Sequence, residues 1–264
     1  MPLVRANGIN LHYDLRGPDD APVIAFGHSI GATLEMWDAQ VEAFAGRYRC
    51  LRWDARGHGR SEVVPTPATV DDLADDLAGL LDALSIRTAH IAGLSLGGMT
   101  GQAFALRHRD RLERLALIAT SAEMDKAAWR ERIATVTAKG YAPFIDEVMV
   151  PRWFTPRFAA AHPDVVAGFR QRMMANDIAG YAACANVIAT LDLLPRISGI
   201  TAPTIIIVGA EDPSTPIAMS EEIRRLVPHA EMVIIPDAAH IVAVEQADLL
   251  NAYLEFFFAR RNHS

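Results

Sequence analysis

Two cysteines in 264 residues, Cys50 and Cys184, are too few to build a disulfide framework, and a chain of this length buries a core large enough to do without one. Both are read as reduced thiols. Metal-ligand spacings are missing too: the sequence has no CxxC, no HExxH and no His/Cys cluster, so neither a metal nor any other cofactor is expected. Positive charge is scarce, with 25 Lys+Arg against 32 Asp+Glu for a net charge of −7, and no stretch clusters the basic residues that a nucleic-acid footprint requires. Apolar runs fall well short of the roughly 18 residues needed to span a bilayer, and the opening MPLVRANGIN lacks the charged-then-apolar pattern of a signal peptide. The expectation is a cytoplasmic protein whose partner is a small molecule rather than nucleic acid or a membrane.

What is present is an ordinary globular composition, 51% hydrophobic and 22% charged. At about 150 residues per domain, the length suits two small domains or one larger α/β domain carrying an insertion. Short apolar runs bounded by turn residues, at Val23 to Phe26, Tyr48 to Trp53, Thr88 to Leu94 and Leu115 to Ala119, read as strands buried on both faces. Between the second and third, Leu73, Leu77, Leu80, Leu81 and Leu84 recur at helical spacing with Asp71, Asp72, Asp75, Asp76 and Asp82 on the other side, which predicts a helix packed on a sheet. From Ser121 to Ile200 strand-like runs vanish and helical patterns carry Trp129, Trp153, Phe154, Met173, Met174 and Tyr181. Alternation resumes with Thr204 to Val208, a helix from Ile217 to Leu226, a strand at Met232 to Ile235 and a closing helix over Val244 to Phe258. The class is therefore α/β with a mostly parallel sheet flanked by helices. The predicted division is a core of residues 1–120 and 201–264 with a helical lid at 121–200.

Gly93-Leu94-Ser95-Leu96-Gly97 follows a predicted strand and precedes a helical pattern at Thr100 to Arg107. A nucleophile on so sharp a strand-to-helix turn needs small neighbours, which Gly93 and Gly97 supply. Serine is a weak nucleophile without a base, and a base needs an acid to orient it. Asp212 follows the strand Thr204 to Val208 and His240 follows Met232 to Ile235, so Ser95, Asp212 and His240 sit at strand ends in an order that suits a Ser-His-Asp triad. Glu211 is the neighbouring rival for the acid, and a bare turn is the bland reading of Asp212-Pro213. For the oxyanion, the Leu96 N–H is one expected donor and the turn Gly27-His28-Ser29-Ile30-Gly31 is expected to supply the other, where resemblance to related sequences, whose His-Gly pair falls at His28-Ser29, implies the Ile30 N–H. Asp54, Arg56 and His58, in the glycine-rich turn Asp54 to Ser61, look catalytic but are expected to hold the loop. His28 is expected chiefly to shape the oxyanion loop, with contact to substrate as its second reading.

Together, Ser95, Asp212, His240 and the Asp54 to Ser61 turn resemble the α/β-hydrolase superfamily along essentially the whole chain. Ser29-Ile30-Gly31-Ala32-Thr33, Met36-Trp37-Asp38-Ala39-Gln40 and Gly93 to Met99 narrow the resemblance to the 3-oxoadipate enol-lactonases, and Trp129-x-x-Arg132, Pro151 to Pro156 and Gly180-Tyr181 extend it into the lid. The sequence departs from that pattern at Gly27-His28 and at Ile241 to Glu245. The resemblance implies hydrolysis of a small carboxylate-bearing enol-lactone in aromatic-compound catabolism by the β-ketoadipate route. Such a substrate calls for a cation beside an apolar wall. Arg132 with Trp129 is the first candidate, and Arg152 with Trp153 the second; a solvated helix face is the bland reading of either arginine. The alternatives are a general carboxylesterase, a cofactor-free perhydrolase of the same fold, or, outside enzymes, a receptor that keeps the cleft and captures a small ligand.

Overall fold

The computed structural model describes residues 2–260. Eight strands form one sheet in the order β1-β2-β4-β3-β5-β6-β7-β8: β1 Leu3–Ala6, β2 Ile9–Arg16, β3 Val23–Gly27, β4 Arg49–Trp53, β5 Ala89–Leu94, β6 Leu112–Ile118, β7 Thr204–Gly209 and β8 Glu231–Ile235. β1 pairs with β2 and β2 with β4 in antiparallel fashion, while every pairing from β4 through to β8 is parallel. Helices α1 (Asp38–Phe44), α2 (Val70–Ala83) and α3 (Leu96–Arg107) belong to the first half of the sheet. α4 (Lys126–Lys139), α5 (Ala142–Phe144), α6 (Val150–Trp153), α7 (Pro156–Ala161), α8 (Pro163–Ala175) and α9 (Ile178–Ala189) form the insertion, and α10 (Ile217–Leu226), α11 (Val242–Glu245) and α12 (Ala247–Phe258) complete the chain. Among the described residues no helix is long and apolar enough to cross a membrane.

The central strands are buried because helices cover both faces: every residue of β3 and β7 is buried. α2 starts at a reciprocal cap between Thr69 and Asp72 and turns Leu73, Leu77, Leu80 and Leu81 inward, each stabilising the fold by about 1.5–3 kcal/mol. Its outer Asp71 and Asp75 pair with Arg107, and Asp71 also with Arg196.

Two features differ from the pattern read in the sequence. The β1–β2 hairpin is not among the apolar runs, because β2 buries polar side chains that find partners across the sheet. His12 meets Asp54 at 2.6 Å, and Asp14 meets Arg52 at 2.9 Å. The closing helix is broken at Gln246, whose φ of −130° and ψ of 49° separate α11 from α12. The break leaves Glu245 at a helix end, where its carboxylate turns inward.

Candidate active site

Ser95 sits between β5 and α3 with φ 56° and ψ −113°, a conformation that costs a non-glycine residue about 1–3 kcal/mol. The surroundings over-determine it. The Ser95 N–H donates to Ile118 O at 2.9 Å, and its carbonyl accepts from Thr120 Oγ1 at 2.8 Å and Met99 N at 2.9 Å. A Cβ at Gly93 would lie 2.1 Å from Gly97 O, and one at Gly97 would lie 2.1 Å from Gly27 O, so both positions must be glycine. The elbow points Ser95 at the N-terminus of a 12-residue helix, where unpaired amides and the helix dipole favour developing negative charge.

Asp212 and His240 come from the ends of β7 and β8. Asp212 Oδ2 accepts from His240 Nδ1 at 2.9 Å and from Thr215 Oγ1 at 2.7 Å, while Oδ1 accepts the Ser214 and Thr215 N–H groups at 2.7 and 3.0 Å. Burial opposes ionisation of Asp212, but His240 and the Thr215 hydrogen bonds outweigh it and hold the carboxyl below the usual carboxylate range. Glu211, the rival acid, is exposed. Ser95 and His240 line one chamber without a direct hydrogen bond between them, a contact that tightens in such sites once substrate fills the gap.

The loop after β3 is held at almost every residue. His28 Nδ1 donates to Ser29 O at 2.7 Å and its Nε2 accepts the Ala55 N–H at 2.9 Å, so both ring nitrogens are used within the loops and burial lowers its pKa. His58 Nε2 accepts the Gly31 N–H at 3.0 Å, and burial pulls this ring down to about 3, which keeps it a neutral strut. The Gly31 amide goes to His58 and the Ala32 amide to Ser29 O, while the N–H groups of Ile30 and of Leu96 have no acceptor among the described residues. Asp54 is a hub for the same loops: it accepts from His12 Nδ1, Leu34 N and Arg60 N, and Arg56 forks onto Asp76.

The insertion closes over these ends and is tied down by two polar residues. Asn176 donates to Gly31 O at 3.0 Å and accepts the Gly59 N–H at 2.8 Å, stitching the end of α8 to both loops. Buried Glu245 accepts the Thr155 N–H at 2.8 Å on Oε1 and the Ala239 N–H at 2.7 Å on Oε2, while Ile241 N–H donates to Trp153 O at 3.0 Å. Both neighbours of His240 are thus fastened to the insertion. Asn176, Thr215 and Glu245 escaped the sequence reading. Only Thr215 carried a local signal, the Asp-x-x-Thr spacing of a side-chain-capped turn.

The chamber, about 30 Å3, is lined by Ser29, Ile30, Ser95, Met99, Met124, Met149, Trp129, Arg132, Trp153, Ile188, Ser214, Thr215 and His240. Met124, Trp129, Arg132 and Ser214 also line an outer vestibule of about 410 Å3 with Phe144, Val148 and Arg152. The inner space holds about two waters, and the residues it shares with the vestibule form the wall between the two. In that wall the half-buried Arg132 guanidinium lies 4.2 Å from the centre of the Trp129 ring and 4.8 Å from that of Phe144, with no carboxylate paired to it. Burial lowers its pKa from the ordinary arginine value, and the nearby Arg152 adds to the lowering. Arg152 stands at the rim and donates to Pro213 O at 3.3 Å. Among the described residues no three His, Cys, Asp or Glu side chains are grouped to hold a metal ion.

Comparison with known proteins places this geometry among relatives. The profile of the α/β hydrolase fold family matches residues 22–247. The chain is 33% identical over 258 residues to 3-oxoadipate enol-lactonase 2 of Acinetobacter baylyi, covering 97% of this chain and 96% of that one. It superposes on the crystal structure of the enol-lactonase from Burkholderia xenovorans LB400 with a TM-score of 0.95 at 37% identity, covering 98% of this chain and all of the other. A thermophilic esterase from Thermogutta terrifontis, solved with malate bound, matches with a TM-score of 0.91 at 32% identity and 98% coverage of both chains.

Proposed function

The chain belongs to the α/β hydrolase family and is a carboxylic ester hydrolase, and from that premise we propose that it opens a small carboxylate-bearing lactone, 3-oxoadipate enol-lactone, in the cytoplasmic breakdown of aromatic compounds. In this reading Ser95 Oγ attacks the lactone carbonyl while His240 takes its proton, and Asp212 holds the ring by Nδ1–H and stabilises the imidazolium. The Leu96 and Ile30 N–H groups receive the oxyanion. Collapse of the tetrahedral intermediate opens the ring and leaves an acyl-enzyme, with the proton returned from His240 to the departing oxygen. Water activated by His240 then releases the acid. Residues 121–200 act as the lid over a core built from 1–120 and 201–264.

One observation carries the substrate class: Arg132 is a half-buried cation with no carboxylate partner, in the wall of the chamber that holds Ser95 and His240. A guanidinium in that position is partly desolvated and, apart from stacking on Trp129 and Phe144, has no anionic partner until a substrate carboxylate arrives; Trp129 and Trp153 line the same chamber. The malate bound to the Thermogutta esterase, itself a carboxylate, agrees with an anion-accepting pocket in this group of relatives. The vestibule of about 410 Å3 favours a second reading, an esterase that takes open-chain esters with larger groups.

The two are separated by measuring kcat/KM for the free-acid lactone, its methyl ester and p-nitrophenyl acetate. The free acid is expected to lead by at least about tenfold, and Ser95→Ala to abolish turnover of all three in a folded protein. A preference for the uncharged compounds would remove the lactonase reading and leave the esterase.

A further inference from the structure

Ser29 is wholly buried, lines the catalytic chamber, and its Oγ has no hydrogen-bond partner. Its backbone is held, because its carbonyl accepts from both His28 Nδ1 and the Ala32 N–H. Two residues further on, Gly31 is held through its N–H by His58 and through its carbonyl by Asn176. A buried hydroxyl with no partner carries a desolvation penalty that an alanine of nearly the same shape would not. In a chamber holding the nucleophile, the acceptor that would relieve this penalty is the one brought by substrate.

We propose that the Ser29 hydroxyl is a third donor to the substrate carbonyl oxygen, joining the Ile30 and Leu96 amides as that oxygen becomes an oxyanion. Ser29 immediately precedes the Ile30 amide, and the same loop packs on the elbow, where His28 O accepts the Gly97 N–H at 3.0 Å. The donation strengthens as charge moves from the carbonyl carbon onto oxygen, so it acts on the transition state more than on bound substrate. The inference rests on Ser95 being the nucleophile, but not on the identity of the acyl group.

The test is Ser29→Ala, with Ser29→Cys as a near-isosteric variant that keeps only a weak donor. Both are expected to lower kcat by roughly ten- to a hundredfold, the alanine more, with KM changed less than about threefold. The factor should be the same for p-nitrophenyl acetate and for a carboxylate-bearing lactone, because the carbonyl is common to both. Affinity for a boronate that forms a tetrahedral adduct should fall in step with kcat/KM, and Tm should stay level or rise. A fluorophosphonate that labels Ser95 in the parent but fails to do so in Ser95→Ala establishes the nucleophile independently. With that labelling intact, unchanged kcat in Ser29→Ala overturns the proposal, as does a rise in KM alone or a loss explained by a lowered Tm.

Discussion

Replacing Arg132 by Met isolates the charge while keeping a flexible apolar side chain of similar length. Two charge-assisted hydrogen bonds to a carboxylate are worth about 1.5–3 kcal/mol each, and removing one partner of a desolvated ion pair costs about 2–5 kcal/mol. At 1.4 kcal/mol per decade, a loss of about 3–4 kcal/mol lowers kcat/KM for the acid lactone by about 10²–10³-fold. The fold should lose little: stacking on Trp129 and Phe144 contributes about 0.5–2 kcal/mol per ring, offset by relief of an unpaired half-buried cation. The assay is steady-state kinetics on the acid lactone and on p-nitrophenyl acetate, with the loss for the uncharged ester staying within about threefold. Arg132→Lys should fall between, since it keeps the charge and loses the planar fork. Equal losses on both substrates would mean that Arg132 holds the insertion in place rather than binding a carboxylate, and no loss on either would move that role to another cation.

Two further outcomes follow from groups away from the substrate. Glu245→Gln presents one acceptor and one donor where the Thr155 and Ala239 amides both need acceptors; the expected loss of about 2–3 kcal/mol lowers Tm by roughly 4–12 °C, read by calorimetry, and an unchanged Tm would refute the clamp. Burial holds His58 down to about 3 and His90 to about 4, so below about pH 6.5 the unfolded chain binds protons that the folded one does not. Stability is then complete above about pH 6.5 and is lost as pH falls, by about 2 kcal/mol per ring at pH 5. Urea unfolding at pH 7.5 and 5.0 measures this; His90→Phe should remove that ring's share, about 2 kcal/mol, leaving the losses from His58 and His28, and equal stability at the two pH values would contradict it.

The central strands, the elbow and the chain order of Ser95, Asp212 and His240 at strand ends were legible in the sequence. Each is encoded locally, in runs that must be buried on both faces, in glycines that a tight turn cannot replace, and in an acid and a base at successive strand ends. His58 was readable as a loop residue from the glycines on either side of it, and in the fold its Nε2 accepts the Gly31 N–H. The β1–β2 hairpin was hidden by His12 and Asp14, polar residues whose burial makes sense only once Asp54 and Arg52 stand beside them. The same reason hid Glu245 and Asn176, whose partners lie 90 and 145 residues away in the chain. The resemblance ranked Arg132 ahead of Arg152 through the lid motif it shares, and the packing of α4 and α6 puts Arg132 in the wall of the chamber that Ser95 lines and Arg152 in the outer vestibule. Local sequence determines where the chain turns and which face is apolar, whereas the pairing of buried polar groups depends on distances in space, and only the tertiary structure decides those.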